Sequence, residues 1–531
     1  MTERKLLIHG YVVTMNAEFE CIEDGAVLIE GKRIEAVGKT ADLLALVGEA
    51  EVERIDCTGK MILPGLIDAH THAGHCLNRS LGLDSRTRWM DYLTKIYHHS
   101  TTPDYWYAEG RLAALERLKA GITCGVSVIS NAARCDDPRI VVEHVRGHAE
   151  VGTRENPAIG PSNPPYPRAF AQEEKGRLVE KRFTFDELMA KAEEAIELVN
   201  GSHEGLIGAF AAPFVMVSSV EGSKATPADL ACRLSDQDRR MMKLIREMAR
   251  RQHVRIHTEA FGGMIRLAAQ ADDPLLGPDV HVQHCKGISF GEAMILAETK
   301  TNVTTTPAWH QLQMRCPVPE LIELGANVAV TTDGTAPAMP FDLFRAARDT
   351  ALLQQSAAND PFILPAGKLL SMITIDAARA IGREADLGSL EAGKLADIAT
   401  IKMTSPHLMP RLMPIHQLML YGNTGDVADV FVAGRSVRST PAFPTAGCSP
   451  CRRRTSSNVR KPQASKPFAA RATSGSLHLP TTSGRGRRAI FPPCASPETE
   501  STQEKGERPN RSPRRILSSC PLTRGADDRK A

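Results

Sequence analysis

The sequence predicts an α/β protein, a (β/α)8 TIM barrel joined to a small β-sandwich domain formed from both ends of the chain. Strand-like apolar runs alternate with helical stretches through the middle of the 531-residue chain, a pattern typical of a closed parallel barrel. β-rich segments separated by turns flank this region on both sides. We therefore predict sandwich segments at 1–62 and 381–440, a barrel at 63–380 and a separate tail at 441–531.

The two sandwich segments have the same local character. In the first, the short β-rich runs Leu6–Gly10, Gly25–Ile29 and Gly31–Gly38 are bounded by turns. In the second, Gly388–Ile401 and Val427–Val437 resemble them. Because the two ends are alike, we expect them to join in one small domain.

In the barrel region, helix-length segments lead into apolar strands. The first predicted strand is Met61–Ile67. Later helix–strand pairs are Tyr107–Ala120 with Ile122–Ile129, Arg239–Gln252 with Val254–His257, and Pro319–Gly325 with Asn327–Asp333.

Composition and charge exclude two classes of protein. Hydrophobic residues make up 42% of the chain, with no apolar run near the ~18–20 residues that a membrane helix needs, so no membrane association is expected. The tail from Pro441 has 18 Lys/Arg against 6 Asp/Glu, which gives the tail a charge of +12 and leaves the body at −9. An acidic body does not favour nucleic-acid binding.

The tail also differs in composition. It contains twelve Pro and twelve Ser in 91 residues, too little apolar content to offset the entropy of folding, so we predict disorder, with a basic interaction tail as the alternative. The pair Cys448 and Cys451 lacks a partner pair for a zinc site. The chain's twelve cysteines are scattered and its first residues do not resemble a secretory leader, which favours a cytoplasmic location with free thiols.

The motif with the clearest chemistry is Asp68-Ala-His70-Thr-His72, at the end of the first barrel strand. Alternation along a strand directs His70 and His72 to the same face. At the C-terminal end of a barrel strand that face points into the site. Two such imidazoles can hold one metal ion.

Three further strand ends carry groups of the same kind. His257 and Glu259 share parity at the end of one strand, so either could be the third ligand. His284 follows Val282 on the inward face of another strand, and Asp333 ends the last one before a glycine. Groups at four strand ends of one barrel are expected to converge.

Together these motifs resemble the amidohydrolase superfamily, in particular the branch with s-triazine, phenylurea and thiocarbamate (molinate) hydrolases. The resemblance spans about residues 5–440, through Gly31–Gly38, Leu63–His72 and Leu387–Asp397. It implies a TIM barrel carrying the metal and a β-sandwich from both chain ends.

The resemblance implies His70, His72, His257 and Asp333 as metal ligands, with Glu259 as the alternative to His257. The ion is expected to be one divalent cation, first Zn²⁺, with Fe²⁺, Co²⁺ or Mn²⁺ as alternatives. The segment Leu206–Val217 lacks the lysine that binuclear members carboxylate, so one ion is expected.

The resemblance also implies that aminohydrolases of this branch carry a glutamate three residues after the strand-five histidine. Here that position holds Ala260 counting from His257, or Gly262 counting from Glu259. Ring deamination is therefore disfavoured.

We expect metal-assisted hydrolysis in which the ion activates a water molecule. Asp333 would move the proton from water to the leaving group, and His284 would hydrogen-bond the developing oxyanion. The candidate pocket residues are Trp89 and Tyr92, in an aromatic segment, and Trp309 and His310.

The resemblance, together with these aromatic residues, implies hydrolysis of the carbonyl C–N or C–S bond of a small urea, carbamate or thiocarbamate, with N-aryl (phenylurea) herbicides as the first candidates. The alternative is an aminohydrolase or chlorohydrolase acting on a triazine or another N-heterocycle. A metal-free scaffold and an aryl-binding transport or sensory module are more distant readings. We expect a small-molecule substrate and a homo-oligomer.

Overall fold

The structure, a computed structural model, describes residues 3–83, 89–218, 233–307 and 314–437. The predicted tail, with Cys448 and Cys451, lies outside these residues, and so do the pocket candidates Trp309 and His310. The cysteines within the described residues are free thiols. Among the described helices, none combines the length and apolar character needed to cross a bilayer.

The first sheet contains strands from both ends of the described chain. Its early part comprises β1 (Arg4–Val13), β2 (Cys21–Glu30), β3 (Arg33–Lys39), α1 (Thr40–Val47), β4 (Glu53–Asp56) and β5 (Lys60–Pro64).

The eight barrel strands and the elements between them follow. They are β6 (Leu66–Ala73), α2 (Trp89–His99), α3 (Pro103–Lys119), β7 (Ile122–Ile129), α4 (Pro138–Val151), β8 (Arg154–Ile159), β9 (Arg168–Glu174), β10 (Arg177–Phe183), α5 (Phe185–Val199), α6 (Ser202–Gly205), β11 (Phe210–Ala211), α7 (Asp236–Gln252), β12 (Arg255–Phe261), α8 (Met264–Ala268), β13 (Val280–Lys286), α9 (Phe290–Glu298), β14 (Asn302–Thr305), α10 (Val318–Glu323) and β15 (Val328–Val330).

The last part of the described chain returns to the first sheet. It comprises α11 (Leu343–Ala358), α12 (Ala366–Met372), α13 (Ile375–Ala380), β16 (Ile398–Lys402), α14 (Pro414–Tyr421), β17 (Val427–Val432) and β18 (Arg435–Ser436), with 3-10 turns at Cys76–Asn78, Pro406–Leu408 and Thr424–Asp426.

Strands β16 to β18 join the first sheet through β5, in the order β18-β17-β16-β5-β1-β2-β3, with β4 on β1. Neighbouring residues on β1 face opposite sides of this sheet: Leu7 packs with Val27 and Ile29 on one face, and Leu6 packs beside α1 on the other. This alternation is the strand period of two. The sheet therefore has a packed apolar cluster on each face.

The second large sheet is parallel and runs β15-β14-β13-β12-β11-β8-β7-β6. Hydrogen bonds from the end of β15 reach β6: Thr332 N donates to Asp68 Oδ1 (3.1 Å) and Asp333 N donates to the His70 carbonyl oxygen (3.2 Å). These contacts bring the last strand against the first. The prediction of an α/β TIM barrel with a small domain from both chain ends is confirmed.

A buried ion pair connects the barrel to the first sheet. The guanidinium of Arg154, on β8, donates from Nε and from a terminal nitrogen to the two carboxylate oxygens of Asp397, at 2.9 and 3.0 Å. Asp397 also accepts a hydrogen bond from Ala433 N. Since Arg154 and Asp397 are both buried, the pair ties the two sheets together without exposing charge.

A hairpin outside the barrel sheet was not predicted from the sequence. Strands β9 and β10 form an antiparallel hairpin between β8 and α5, outside the barrel sheet. A barrel tolerates such an insertion because the loops that follow its strands lie outside the closed sheet.

Candidate metal centre

His70 and His72 lie at the C-terminal end of β6 with their Nε2 atoms directed at one carboxylate. Asp333 Oδ1 is 3.5 Å from His70 Nε2 and 3.4 Å from His72 Nε2. The Nδ1 atom of His72 donates to the Ser130 carbonyl oxygen, at 2.8 Å. Because the ring proton is on Nδ1, the lone pair of His72 Nε2 is free to bind a metal. Metal-binding imidazoles are usually oriented by such a hydrogen bond from their other nitrogen.

The backbone at two site residues adopts the left-handed conformation. Asp333 has φ 64° and His284 has φ 74°, values that residues other than glycine rarely adopt. Gly334 N donates to Asp333 Oδ1 at 2.6 Å, which fixes the carboxylate after this turn. Strain of this kind concentrates at functional sites.

Glu259, on β12, lies between two histidines. Its Oε1 is 3.5 Å from His72 Nε2, and its Oε2 is 3.5 Å from His284 Nε2. Ligand-type atoms lie within 4.8 Å of one another in two overlapping groups, His70 with Glu259 and His284, and His70 with His72 and Asp333. The structure thus brings five of the predicted residues together.

His257 lies on the other side of the His70 ring. Its Nε2 is 3.0 Å from His70 Nδ1. A His70 ring that binds a metal through Nε2 carries its proton on Nδ1. His257 Nε2 then accepts a hydrogen bond from His70 Nδ1, so its lone pair is not available to the same ion. The geometry therefore favours Glu259 over His257 as the third protein ligand.

The residues fit a divalent cation. His70 Nε2 and Glu259 Oε1 are buried and have no hydrogen-bond partner among the described residues, although buried polar atoms are normally paired. Burial raises the pKa of Asp333, but the His70 and His72 contacts outweigh it and hold that pKa well below its usual value. Burial likewise raises the pKa of Glu259, and its contact with His284 brings the net shift downward. Two ionised carboxylates among imidazoles form a donor set suited to a divalent ion.

Several supporting residues were not identified from the sequence. His75 stacks on His72, with ring centroids 5.0 Å apart, and on Tyr97, at 5.6 Å. Asp68 accepts hydrogen bonds from Thr332 N and Thr332 Oγ1. The run His70-Thr-His72-Ala-Gly-His75 is the signal that could have revealed His75, because a third histidine follows so closely.

The predicted aromatic pocket is only partly described. Trp89 is partly buried against the main core, and Tyr92 is 47% exposed on α2. Phe261, which was not predicted, stacks on His284 with centroids 5.3 Å apart. Trp89 and Tyr92 stay predictions as pocket residues, and Phe261 is an aromatic ring in direct contact with His284.

The chain resembles known proteins that are named as deaminases. The chain is 28% identical over 441 residues to a 5-methylthioadenosine/S-adenosylhomocysteine deaminase of Syntrophobacter fumaroxidans, covering 81% of this chain and 92% of that protein. It is 28% identical over 418 residues to a 5'-deoxyadenosine deaminase of Methanothermobacter thermautotrophicus, covering 78% and 89%. These relatives do not support the narrower expectation of a phenylurea hydrolase.

Solved structures agree on the fold. An adenosine deaminase from Xanthomonas campestris with bound zinc superposes with a TM-score of 0.66 at 23% identity, covering 81% of this chain and 92% of that one. A triazine hydrolase from Arthrobacter aurescens gives 0.64 at 22% identity, covering 82% and 94%.

The sequence pattern of the amidohydrolase family matches residues 61–437, which include every strand of the barrel and all the donors of the candidate centre. The chain belongs to the amidohydrolase family and is a metal-dependent hydrolase.

Proposed function

We propose that the protein replaces an exocyclic amino group on a nitrogen heterocycle by oxygen from water, releasing ammonia, with an adenine nucleoside as the first substrate class. This was the alternative reading of the sequence, with the urea and thiocarbamate reading ranked ahead of it. Two curated relatives that span at least 78% of the chain are named as deaminases of adenine nucleosides. One feature of the site supports the same chemistry: the contact between Glu259 and His284.

The absence of a glutamate at position 262 counted against ring deamination, because a proton carrier is needed beside the ring nitrogen. Glu259 itself supplies a carboxylate within the site. Its Oε1 is directed towards His72 and its Oε2 towards His284, 3.5 Å from each Nε2. One carboxylate can therefore contact a metal with one oxygen and a proton-carrying imidazole with the other.

The metal would be held by His70, His72, Glu259 and Asp333, with Zn²⁺ as the proposed ion. When bound, it would supply Lewis-acid activation of water and of the substrate. These ligands combine two imidazoles and two carboxylates, a mixed set that Zn²⁺ accepts.

The proton steps belong to the chain's own residues. Asp333 takes the proton of the attacking water, because its carboxylate lies beside both β6 histidines and its low pKa keeps it ionised. His284 donates a proton to the ring nitrogen, and Glu259 Oε2 lies 3.5 Å from His284 Nε2. The amino group then leaves as ammonia with the proton that Asp333 received, and the hydroxyl proton of the adduct returns to the enzyme as the C=O bond forms, which restores the proton that His284 gave to the ring. Phe261, stacked on His284, offers an aromatic face for the substrate ring.

A second candidate is hydrolysis of a carbonyl C–N or C–S bond in a urea or thiocarbamate. The observation in its favour is that position 262 holds glycine where a ring aminohydrolase would need a proton-carrying glutamate. Hydrolysis of a urea or thiocarbamate does not need protonation of a ring nitrogen. In that case His284 would hydrogen-bond the carbonyl oxygen as negative charge develops on it.

A product assay separates the two candidates. The metal-replete protein is incubated with 5'-deoxyadenosine, methylthioadenosine, an aminotriazine and an N-phenylurea, and the products are identified by mass spectrometry with a coupled ammonia assay. We expect ammonia and the oxygenated heterocycle, with no aniline. Aniline from the phenylurea, with every heterocycle unchanged, would refute the proposal. The Asp333→Asn protein is the matched control, because it keeps the size of the side chain and removes the base.

A further inference from the structure

A second group of metal-ligand residues is buried behind the strand that carries His70 and His72. His144 and His148 lie one turn apart on α4, and Glu155 lies on β8. All three have 0% exposure. Because His70 and His72 point into the barrel, Thr71 points outward, and Thr71 shares the guanidinium of Arg117 with Glu155. The cluster therefore lies between the barrel wall and its helices.

The contacts orient each member. His144 Nδ1 is 3.0 Å from Glu109 Oε2, and His144 Nε2 is 3.7 Å from Glu155 Oε1. His148 Nδ1 is 2.9 Å from Thr153 Oγ1 and 3.7 Å from Glu155 Oε2. One ligand-type atom from each of His144, His148 and Glu155 lies within 4.8 Å of the other two.

Three atoms of this cluster have no hydrogen-bond partner within the part of the chain that the structure describes. They are His144 Nε2, His148 Nε2 and Glu155 Oε1. Leaving a buried polar atom unpaired destabilises a fold. Three such atoms on neighbouring residues are expensive unless a further group satisfies them.

The buried charges leave one positive charge to be supplied. Glu109 and Glu155 are fully buried, and Arg117, which pairs with Glu155, supplies one positive charge for two carboxylates. The second positive charge must be a proton on His144 or a bound cation. Burial lowers the pKa of His144, but its contacts with Glu109 and Glu155 outweigh this and raise it to about 9, so a proton is the direct competitor of a cation.

The packing holds the cluster in place. A side chain at Gly110 would clash with the His144 carbonyl oxygen, and one at Gly147 would clash with the Tyr107 carbonyl oxygen. These glycines let α3 and α4 approach closely, which brings Glu109 to the Nδ1 side of His144. A carboxylate in that position fixes the tautomer so that Nε2 is free to bind a metal. Arg117 engages Glu155 Oε2 and leaves Oε1 facing His144.

We propose that His144, His148 and Glu155 form a second, structural site for a divalent transition-metal ion, separate from the centre at His70, His72, Glu259 and Asp333. Two imidazoles and one carboxylate are a donor set that Zn²⁺ and similar ions accept, and Glu109 is the outer partner of His144. An ion here links α4 to β8 and gives a partner to His144 Nε2 and Glu155 Oε1, which face each other at 3.7 Å. It contacts no substrate, so the site is independent of the reaction proposed above.

Metal stoichiometry tests the proposal. Because the site is closed to solvent, the full-length protein is produced in zinc-supplemented medium, washed with chelator, and its metal content measured per chain by plasma mass spectrometry. The double variant D333N/E259Q weakens the catalytic centre without touching α4. We expect it to retain about one ion per chain, and we expect that ion to be lost when His148→Gln is added.

Two results would overturn the proposal. An ion-free D333N/E259Q protein would mean that a proton on His144 balances the buried carboxylates. Retention of the ion after His148→Gln would mean that it is bound elsewhere. Circular dichroism verifies the fold of each variant, and the double variant keeps the test valid even where His148→Gln does not fold, since it leaves the cluster intact.

Discussion

Replacing Glu259 by glutamine and, separately, His257 by leucine distinguishes a direct metal ligand from an outer partner. Glu259 Oε1 is buried, has no hydrogen-bond partner among the described residues and is directed towards His72. His257 Nε2 contacts Nδ1 of His70, whereas Asp333 lies near the other ring nitrogen of His70, Nε2. The two variants should therefore weaken metal binding by different amounts.

The expected magnitudes follow from these contacts. Removing an outer partner of a metal-bound histidine typically weakens binding by about 10–100-fold, which is roughly 1.4–2.8 kcal/mol. We expect His257→Leu to fall in that range. Glu259→Gln removes a charged ligand, so its affinity should fall by more than about 100-fold.

The assay is competition for Zn²⁺ with a chromophoric chelator of known affinity, at one pH and ionic strength. Neither substitution touches α4, so an ion held by His144 and His148 would be the same in both proteins. Loss of the ion in His257→Leu, together with near-normal affinity in Glu259→Gln, would refute the assignment of Glu259 and restore His257 as the third ligand.

Three further predictions concern catalysis, stability and the tail. Asp333→Asn should lower kcat at least about 100-fold, the scale of a general base, with an unchanged circular dichroism spectrum; near-normal turnover would contradict the role of Asp333. Asp397→Ala should lower the free energy of unfolding by about 3–5 kcal/mol in urea titrations, because it leaves the buried Arg154 charge without its partner. The double variant Arg154→Met with Asp397→Leu should lose less stability. Equal losses in the two proteins would argue against the buried-charge explanation. Truncation after residue 440 should leave the thermal midpoint and metal content unchanged, since the described core lies within residues 3–437; a protein that no longer folds would contradict the prediction that the tail is dispensable.

Much of the fold could be predicted because its signals are local. Alternation of apolar residues indicated the strands, and the alternation of strands with helices indicated a parallel barrel. The aromatic segment was less informative, since the same residue types serve both cores and pockets. Tyr97 and Trp106 are fully buried in the main core, while Tyr92 is exposed, and the sequence offered no means of separating them.

The residues of the candidate metal centre could be named from the sequence for a related reason, and their role as ligands stays a prediction. Parity along a strand decides which face a side chain lies on, so His70, His72 and Asp333 could be assigned to the barrel interior. Parity cannot decide between His257 and Glu259, because both lie on the same face. Which of the two reaches the other ligands depends on how β12 is staggered against β6, and the residue pattern of a single strand does not give that stagger.

By itself, then, the sequence determined the barrel, the domain built from both chain ends, and the set of strand-end groups that face inward. The tertiary structure decided which of those groups meet. The stagger between β6 and β12 brings Glu259 level with His72 and sets His257 behind His70. The close approach of α3 and α4 buries His144 and His148 beside Glu155. Both arrangements depend on how separate elements are aligned in space, and local residue patterns carry no record of that alignment.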